Sequence, residues 1–210
     1  MIFTSTRNEE AKSFKDMVQR CNNLGIRTIV ELFITQNNYF AHRKDYDRPE
    51  IQTEIKKVLK SLVDLGVAGF KLESNKATLA SHMSQFFGDL HLAEPLPANS
   101  RPFLLHDGSP LSHPNHSRLG KIFFSGYMDE MRKILYKYGD HKLKNLKKYL
   151  DKEALNIPGE DAVVFVDQPD LQRDDPLNGT NFRQPKLLKI ATALMLALPY
   201  GKLSRPILFL

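Results

Sequence analysis

Residues 162–166 read Ala162-Val163-Val164-Phe165-Val166, with Asp167 immediately after. Five consecutive apolar residues leave no wet face. A strand with one solvated side alternates apolar and polar, whereas a strand covered on both sides reads like this one. Such a strand belongs to a parallel sheet crossed by helices. The same grammar recurs on either side of it. Ile26 to Ile34 is a strand rich in β-branched residues, Gly69-Phe70-Lys71-Leu72-Glu73 a second and Arg101 to His106 a third. Lys121 to Phe124 is weaker, and Pro206 to Leu210 is the last, near Leu208. Between the strands the period changes to 3.6. Ile51, Ile55, Val58, Leu59, Leu62 and Val63 line one helical face behind Pro49, a residue suited to a first helical turn. Glu9 to Leu24, Asn75 to Leu90, Tyr127 to Tyr138 and His141 to Leu150 also read as helices. Pro185 to Leu198 is apolar nearly all round, which predicts a buried helix. Six strands alternating with helices predict βαβ units and an α/β fold with a parallel sheet.

The chain has 210 residues, the size of a single domain spanning 1–210. A hydrophobic share of 41%, a charged share of 26% and a mean hydropathy of −0.38 suit a folded core and argue against disorder. Eleven Gly, twelve Pro and one Cys exclude collagenous, low-complexity and disulfide-rich classes. No run of about 18 apolar residues is present, so no membrane span is expected. The start, Met1-Ile2-Phe3-Thr4-Ser5-Thr6-Arg7, lacks the apolar stretch of a signal peptide. Net charge is +6, concentrated between Arg132 and Lys152. Without stacking aromatics or a recognisable module beside it, that segment reads as a solvated face, and no nucleic-acid partner is expected.

Carboxylates follow the strands: Glu31, Glu73, Asp107, Asp167 and Asp170. In a parallel βα barrel, functional groups collect at the C-terminal ends of strands. Any one of these residues serves equally well as a cap for the following helix. His106, His113 and His116 lie near Asp107 but fit no standard zinc spacing, so no metal site is expected. Cys21 reads as a small buried apolar residue. Asn115-His116-Ser117 and Asn178-Gly179-Thr180 match the glycosylation triplet, which matters only in a secreted chain.

These runs resemble the α-amylases of glycoside hydrolase family 13, most closely the animal type. Phe14 to Arg27 is similar to the helix and strand entering the family's first motif, and Asp64 to Phe70 to the run into the second. Arg101-Pro102-Phe103 precedes the third, Ala162 to Asp167 opens the fourth, and Leu198-Pro199-Tyr200-Gly201 follows it. The resemblance covers about Glu9 to Tyr200. It implies an eight-stranded TIM-type βα barrel, retaining hydrolysis of α-1,4-glucans, a calcium ion and, in animals, a chloride ion. One carboxylate would attack the anomeric carbon, and a second would protonate the leaving oxygen and then activate water.

Residue by residue, the resemblance also implies a damaged site. The first motif reads Glu31-Leu32-Phe33-Ile34-Thr35-Gln36, with Glu31 and Gln36 at substrate-binding places and Thr35 at a calcium ligand's place. The second reads Gly69-Phe70-Lys71-Leu72-Glu73, then Lys76-Ala77; Glu73 takes the nucleophile's position and Lys76 a substrate-binding one. Asp107 stands at the acid/base position and Asp170, in Asp167-Gln168-Pro169-Asp170, at that of the third carboxylate. Lys71, Gln168 and Arg205 take the chloride positions. Both carboxylates that would flank the bond have thus changed length, each moving its charge by roughly 1 Å, and a misplacement of about 1 Å costs on the order of a hundredfold in rate. Gln36, Ala77 and Pro169 replace three histidines. The first two barrel strands have no counterpart, and the family's second domain shrinks to the stretch from Gln36 to Asp47. In animal amylases the cysteine matching Cys21 is bonded to one in that missing part.

The resemblance therefore implies an incomplete barrel of about six βα units with its calcium and chloride sites lost. The expected role is that of a catalytically inactive or strongly impaired pseudoenzyme, a scaffold or interaction module with residual glucan binding. Its partner would be a second polypeptide covering the open barrel edge. The alternative is an altered retaining α-glucan hydrolase or transglycosidase using Glu73, Asp107 and Asp170. A third reading is a fragment that does not fold alone, which a cooperative thermal transition would exclude.

Overall fold

In a computed structural model of the chain, the described residues are 5–33, 48–73, 84–97, 99–107, 120–150, 155–167, 180 and 182–201. The chain divides into two compact units, Met1–His106 and Asp107–Leu210.

In the first unit, helix α1 (Ser5–Asn23) leads into strand β1 (Ile29–Phe33), and α2 (Pro49–Asp64) leads into β2 (Gly69–Glu73), with β3 (Phe103–Asp107) last. The ladders are parallel: Ile29 pairs with Gly69 and Phe33 with Glu73, while Gly69 pairs with Phe103 and Leu72 with His106. The expected βα alternation and the α/β class are both present. Pro49 occupies the first turn of α2, and Leu59 and Val63 are its buried positions. One face of the strands carries Phe70, Leu72 and Leu104 into the core, where the Phe70 and Phe87 rings lie 5.6 Å apart.

The turn after α2 depends on one polar side chain from α1. Gly66 has φ +100°, a conformation other residues adopt only under strain. Asn22, 8% exposed, donates from Nδ2 to the Gly66 carbonyl at 2.9 Å, and its Oδ1 accepts from Arg27 Nη1 at 3.3 Å. One buried amide thus ties the end of α1 to the entry of β2. Asn22→Ala is expected to lower stability by about 1–3 kcal/mol. The measurement is a shift of the urea midpoint at unchanged slope.

The second unit holds β4 (Lys121–Phe123), α3 (Ser125–Leu135), β5 (Ala162–Val163) and α4 (Pro185–Ala197). β4 and β5 are parallel, Ile122 against Ala162 and Phe123 against Val163. Residues 162–166 are between 0% and 5% exposed, as their unbroken apolar run predicts, although the ladder itself covers only Ala162–Val163. Ile122, Ala162 and Val164 pack with Tyr127 and Met131 of α3 and with Ala191 and Met195 of α4. Phe123 and Phe165 stack with centroids 3.9 Å apart.

Two sequence expectations need correction. The helix at Pro185–Ala197 is not enclosed: Ala191 and Met195 are buried, but Ile190 is 46% and Leu196 50% exposed. The strands of this unit present one surface to α4, and one surface can cover only one stripe of a helix. The stretch from His141 to Leu150 is not a continuous helix. It is a 3-10 turn at Leu143–Asn145 followed by the short helix Leu146–Tyr149. Only its last turn packs: Leu146, Tyr149 and Leu150 meet the core, while Leu143 is 56% exposed. Of the helix expected from Asn75 to Leu90, residues 75–83 lie outside the described residues, 84–87 are helical and 88–90 are not; the strand near Leu208 lies outside the described residues too. No described helix is long and apolar enough to cross a membrane.

Candidate functional site

Parallel strands lie about 4.8 Å apart, so residues paired across the ladder present neighbouring side chains on one face. Glu31 on β1 pairs with Lys71 on β2. The Lys71 side chain is only 6% exposed, that of Glu31 37%, and Lys71 Nζ donates directly to Glu31 Oε1. An ammonium taken this far out of water needs an anionic partner, and the neighbouring strand supplies one at the paired ladder position. Lys71 makes a further interaction as well.

By strand alternation, positions 73 and 107 share the parity of Glu31 and Lys71. Backbone position 73 lies opposite Phe33, and 107 is the last residue of β3. Both stand at C-terminal strand ends. His106 has the opposite parity, paired with Leu72 and 0% exposed, on the face that carries Phe70 and Leu104. Its neighbourhood in sequence to Asp107 is therefore not a neighbourhood across the sheet. His113 and His116 lie outside the described residues. Among those described, no group of three His, Cys, Asp or Glu side chains is placed to hold a metal.

Gln36, Lys76, Gln168, Asp170 and Arg205 lie outside the described residues, as do Thr35, Ala77 and Pro169. Cys21 is a free, half-buried thiol whose Sγ lies 3.8 Å from Met17 Sδ. In the basic segment, Arg132 faces Asp129 at 3.6 Å, Lys133 meets Glu130 at 2.5 Å and Lys148 faces Asp140 at 4.0 Å. Lys142, Lys144 and Lys147 are exposed. A solvated face explains all of this.

Sequence reasoning assigned Glu31 and Lys71 to separate tasks, one toward substrate and the other toward chloride. The fold makes them one ion pair. The available signal was the equal distance of each from the start of its strand, together with opposite charge.

No family model matches the chain. An α-amylase of Acarus siro is 26% identical over 263 aligned positions, covering 93% of this chain and 50% of the relative. Two proteins called alpha-amylase-related, from Drosophila jambulina and Drosophila dossoui, are each 27% identical over 258 positions, covering 94% of this chain and 51% of their own. The resemblance to α-amylase implied by the motifs thus extends over nearly the whole chain. The chain spans about half the length of the curated relatives it matches. The aligned span is longer than the chain itself, so within it the relatives carry residues with no counterpart here.

Proposed function

We propose that this amylase-like chain is a pseudoenzyme. In this reading it forms an incomplete TIM-type barrel of about six βα units, does not cleave α-1,4-glucans at an enzyme's pace, and works as an interaction module that retains at most glucan binding. The carrying observation is that Glu73 closes β2 and Asp107 closes β3, at neighbouring strand ends where the resemblance implies an aspartate and a glutamate in the opposite order. Retaining glycosidases hold their two carboxyl groups about 5–5.5 Å apart. A nucleophile one methylene longer and an acid one methylene shorter disturb both arms of that geometry. Gln36, Ala77 and Pro169 then remove contacts that a length change cannot restore, each on the order of 1–3 kcal/mol of transition-state stabilisation. The exposed apolar stripe of α4 and the unpaired outer edge of β1 among the described residues support a partner-binding role, with a second polypeptide as the partner. Neither calcium nor chloride is needed in this reading.

The test is release of the chromophore from an activated maltoside by the purified chain, beside Glu73→Gln. Both are expected to stay at the buffer rate. Release by the native chain that disappears in Glu73→Gln would instead establish the altered retaining hydrolase, with Glu73 as nucleophile, Asp107 as acid/base and Asp170 as stabiliser. In a size measurement and pull-down, a monomer that captures nothing would count against the interaction module.

A further inference from the structure

The face that helix α4 turns to solvent is cationic at its start and apolar beyond. A 3.6-residue period sets Lys186, Lys189, Ile190, Ala193, Leu196 and Ala197 on the side opposite the buried Ala191 and Met195. All six are exposed, Ile190 46% and Leu196 50%. Between Pro176 and Leu210 the sequence carries Arg183, Lys186, Lys189, Lys202 and Arg205 and no Asp or Glu. No carboxylate of that stretch balances the two lysines. The other basic segment differs: Arg132, Lys133 and Lys148 there face Asp129, Glu130 and Asp140.

Charge and shape narrow what can cover this face. The same face of a second copy brings two more lysines and no acid, so self-pairing crowds like charges. A bilayer surface takes up bulky apolar and aromatic side chains, whereas the middle of this face is Ala193 and Ala197. Small side chains between Ile190 and Leu196 leave room for the ridge of another helix. We propose that this face docks an amphipathic helix of a partner protein, with bulky apolar side chains on its ridge and carboxylates at the end lying over Lys186 and Lys189. Such a partner is what the interaction-module reading requires, so the proposal rests on that reading. The apolar contact supplies the affinity, and the two lysines select the partner by the sign of its charge.

The experiment follows the binding of two labelled synthetic helices to the full chain by fluorescence anisotropy. Both carry the same leucine ridge; one has glutamates beside one end of it, the other lysines in the same places. The acidic helix is expected to bind saturably, roughly tenfold tighter than the basic one, and to weaken as salt rises. Lys186→Glu combined with Lys189→Glu should reverse the order of the two helices. Lys186→Ala combined with Lys189→Ala should bring them level. Ile190→Ser combined with Leu196→Ser should weaken the acidic helix by about tenfold or more. The four positions are exposed, so all three variants should keep thermal midpoints within a few degrees of native, which separates a lost contact from a lost fold. Equal binding of both helices by the native chain overturns the proposal. So does binding that the Ile190 and Leu196 double variant retains in full, or a failure to bind either helix. Sedimentation with vesicles of phosphatidylserine and phosphatidylcholine in place of helix binding makes the occupant a lipid surface, and a native dimer that the same double variant abolishes makes it a second copy; both overturn the proposal. Failure here is distinct from failure of the module: equal binding of the two helices removes the acidic partner alone, whereas a chain that captures nothing in the pull-down counts against the module itself.

Discussion

Gly69→Val is expected to unfold at a far lower urea concentration than the native chain, by the equivalent of about 4 kcal/mol or more. Gly69 begins β2, between β1 and β3, and pairs with Phe103. A Cβ added there would stand 2.9 Å from Phe103 Cβ and press still closer on the Phe103 carbonyl oxygen. The obstacle is backbone, so no rotamer change relieves it. Phe103 is itself fixed by its N–H bond to the Ala68 carbonyl at 3.0 Å. The strands must part, and the Glu31–Lys71 pair lies two residues further along the same strand. Gly69→Ala should fall between native and Gly69→Val. Val58→Ala, on the exposed face of α2, should shift the midpoint by no more than about 0.5 kcal/mol. A Gly69→Val midpoint close to that of Val58→Ala would show that the close approach of β2 and β3 does not constrain this residue.

The second large effect is expected in alkali. Tyr127 is 0% and Tyr200 6% exposed, and their rings stack with centroids 5.8 Å apart. Burial pushes the Tyr127 phenol up to about 12. Burial raises Tyr200 as well, with smaller contributions from Tyr127 and Glu160. In the unfolded chain both phenols ionise near 10. Above pH 10 the unfolded state therefore holds fewer protons than the folded state, and stability falls as pH rises. The contribution is complete below about pH 10 and drains away as pH climbs through 12. For Tyr127 it amounts to at most about 3 kcal/mol. Thermal midpoints of the native chain should be level from pH 8 to 10 and drop between 10 and 12. Tyr127→Phe should show a shallower drop. It should also be no less stable at neutral pH, because among the described residues the Tyr127 hydroxyl has no hydrogen-bond partner, whereas Tyr200 donates to the Ile157 carbonyl at 2.8 Å. Parallel alkaline curves for native and Tyr127→Phe would disprove the assignment.

The elements that were legible in advance share a cause. Residues 162–166, Gly69 to Glu73 and the 51–63 stripe carry their periods within a few residues of one another, and period is a local property. The candidate site was legible only as far as strand ends are: Glu73 and Asp107 could be placed at the ends of β2 and β3 because a strand announces where it stops. Helix α4 misled because an all-round apolar surface states what a helix can bury, not what its neighbours offer. The 141–150 stretch misled because only its last turn, Leu146 to Leu150, finds a surface to pack on, while Leu143 stays exposed.

The sequence by itself determined the α/β class, the parallel strands and the resemblance to α-amylase, since each rests on short-range pattern or on ordered motifs along the chain. The tertiary structure alone decided that Glu31 faces Lys71, that Asn22 ties α1 to the turn at Gly66, that His106 turns away from Lys71, and that one side of α4 meets solvent. Each of these joins residues far apart in the chain, or sets a residue against a surface built elsewhere. Register and packing between elements settle such matters, and no local run of residues contains that information.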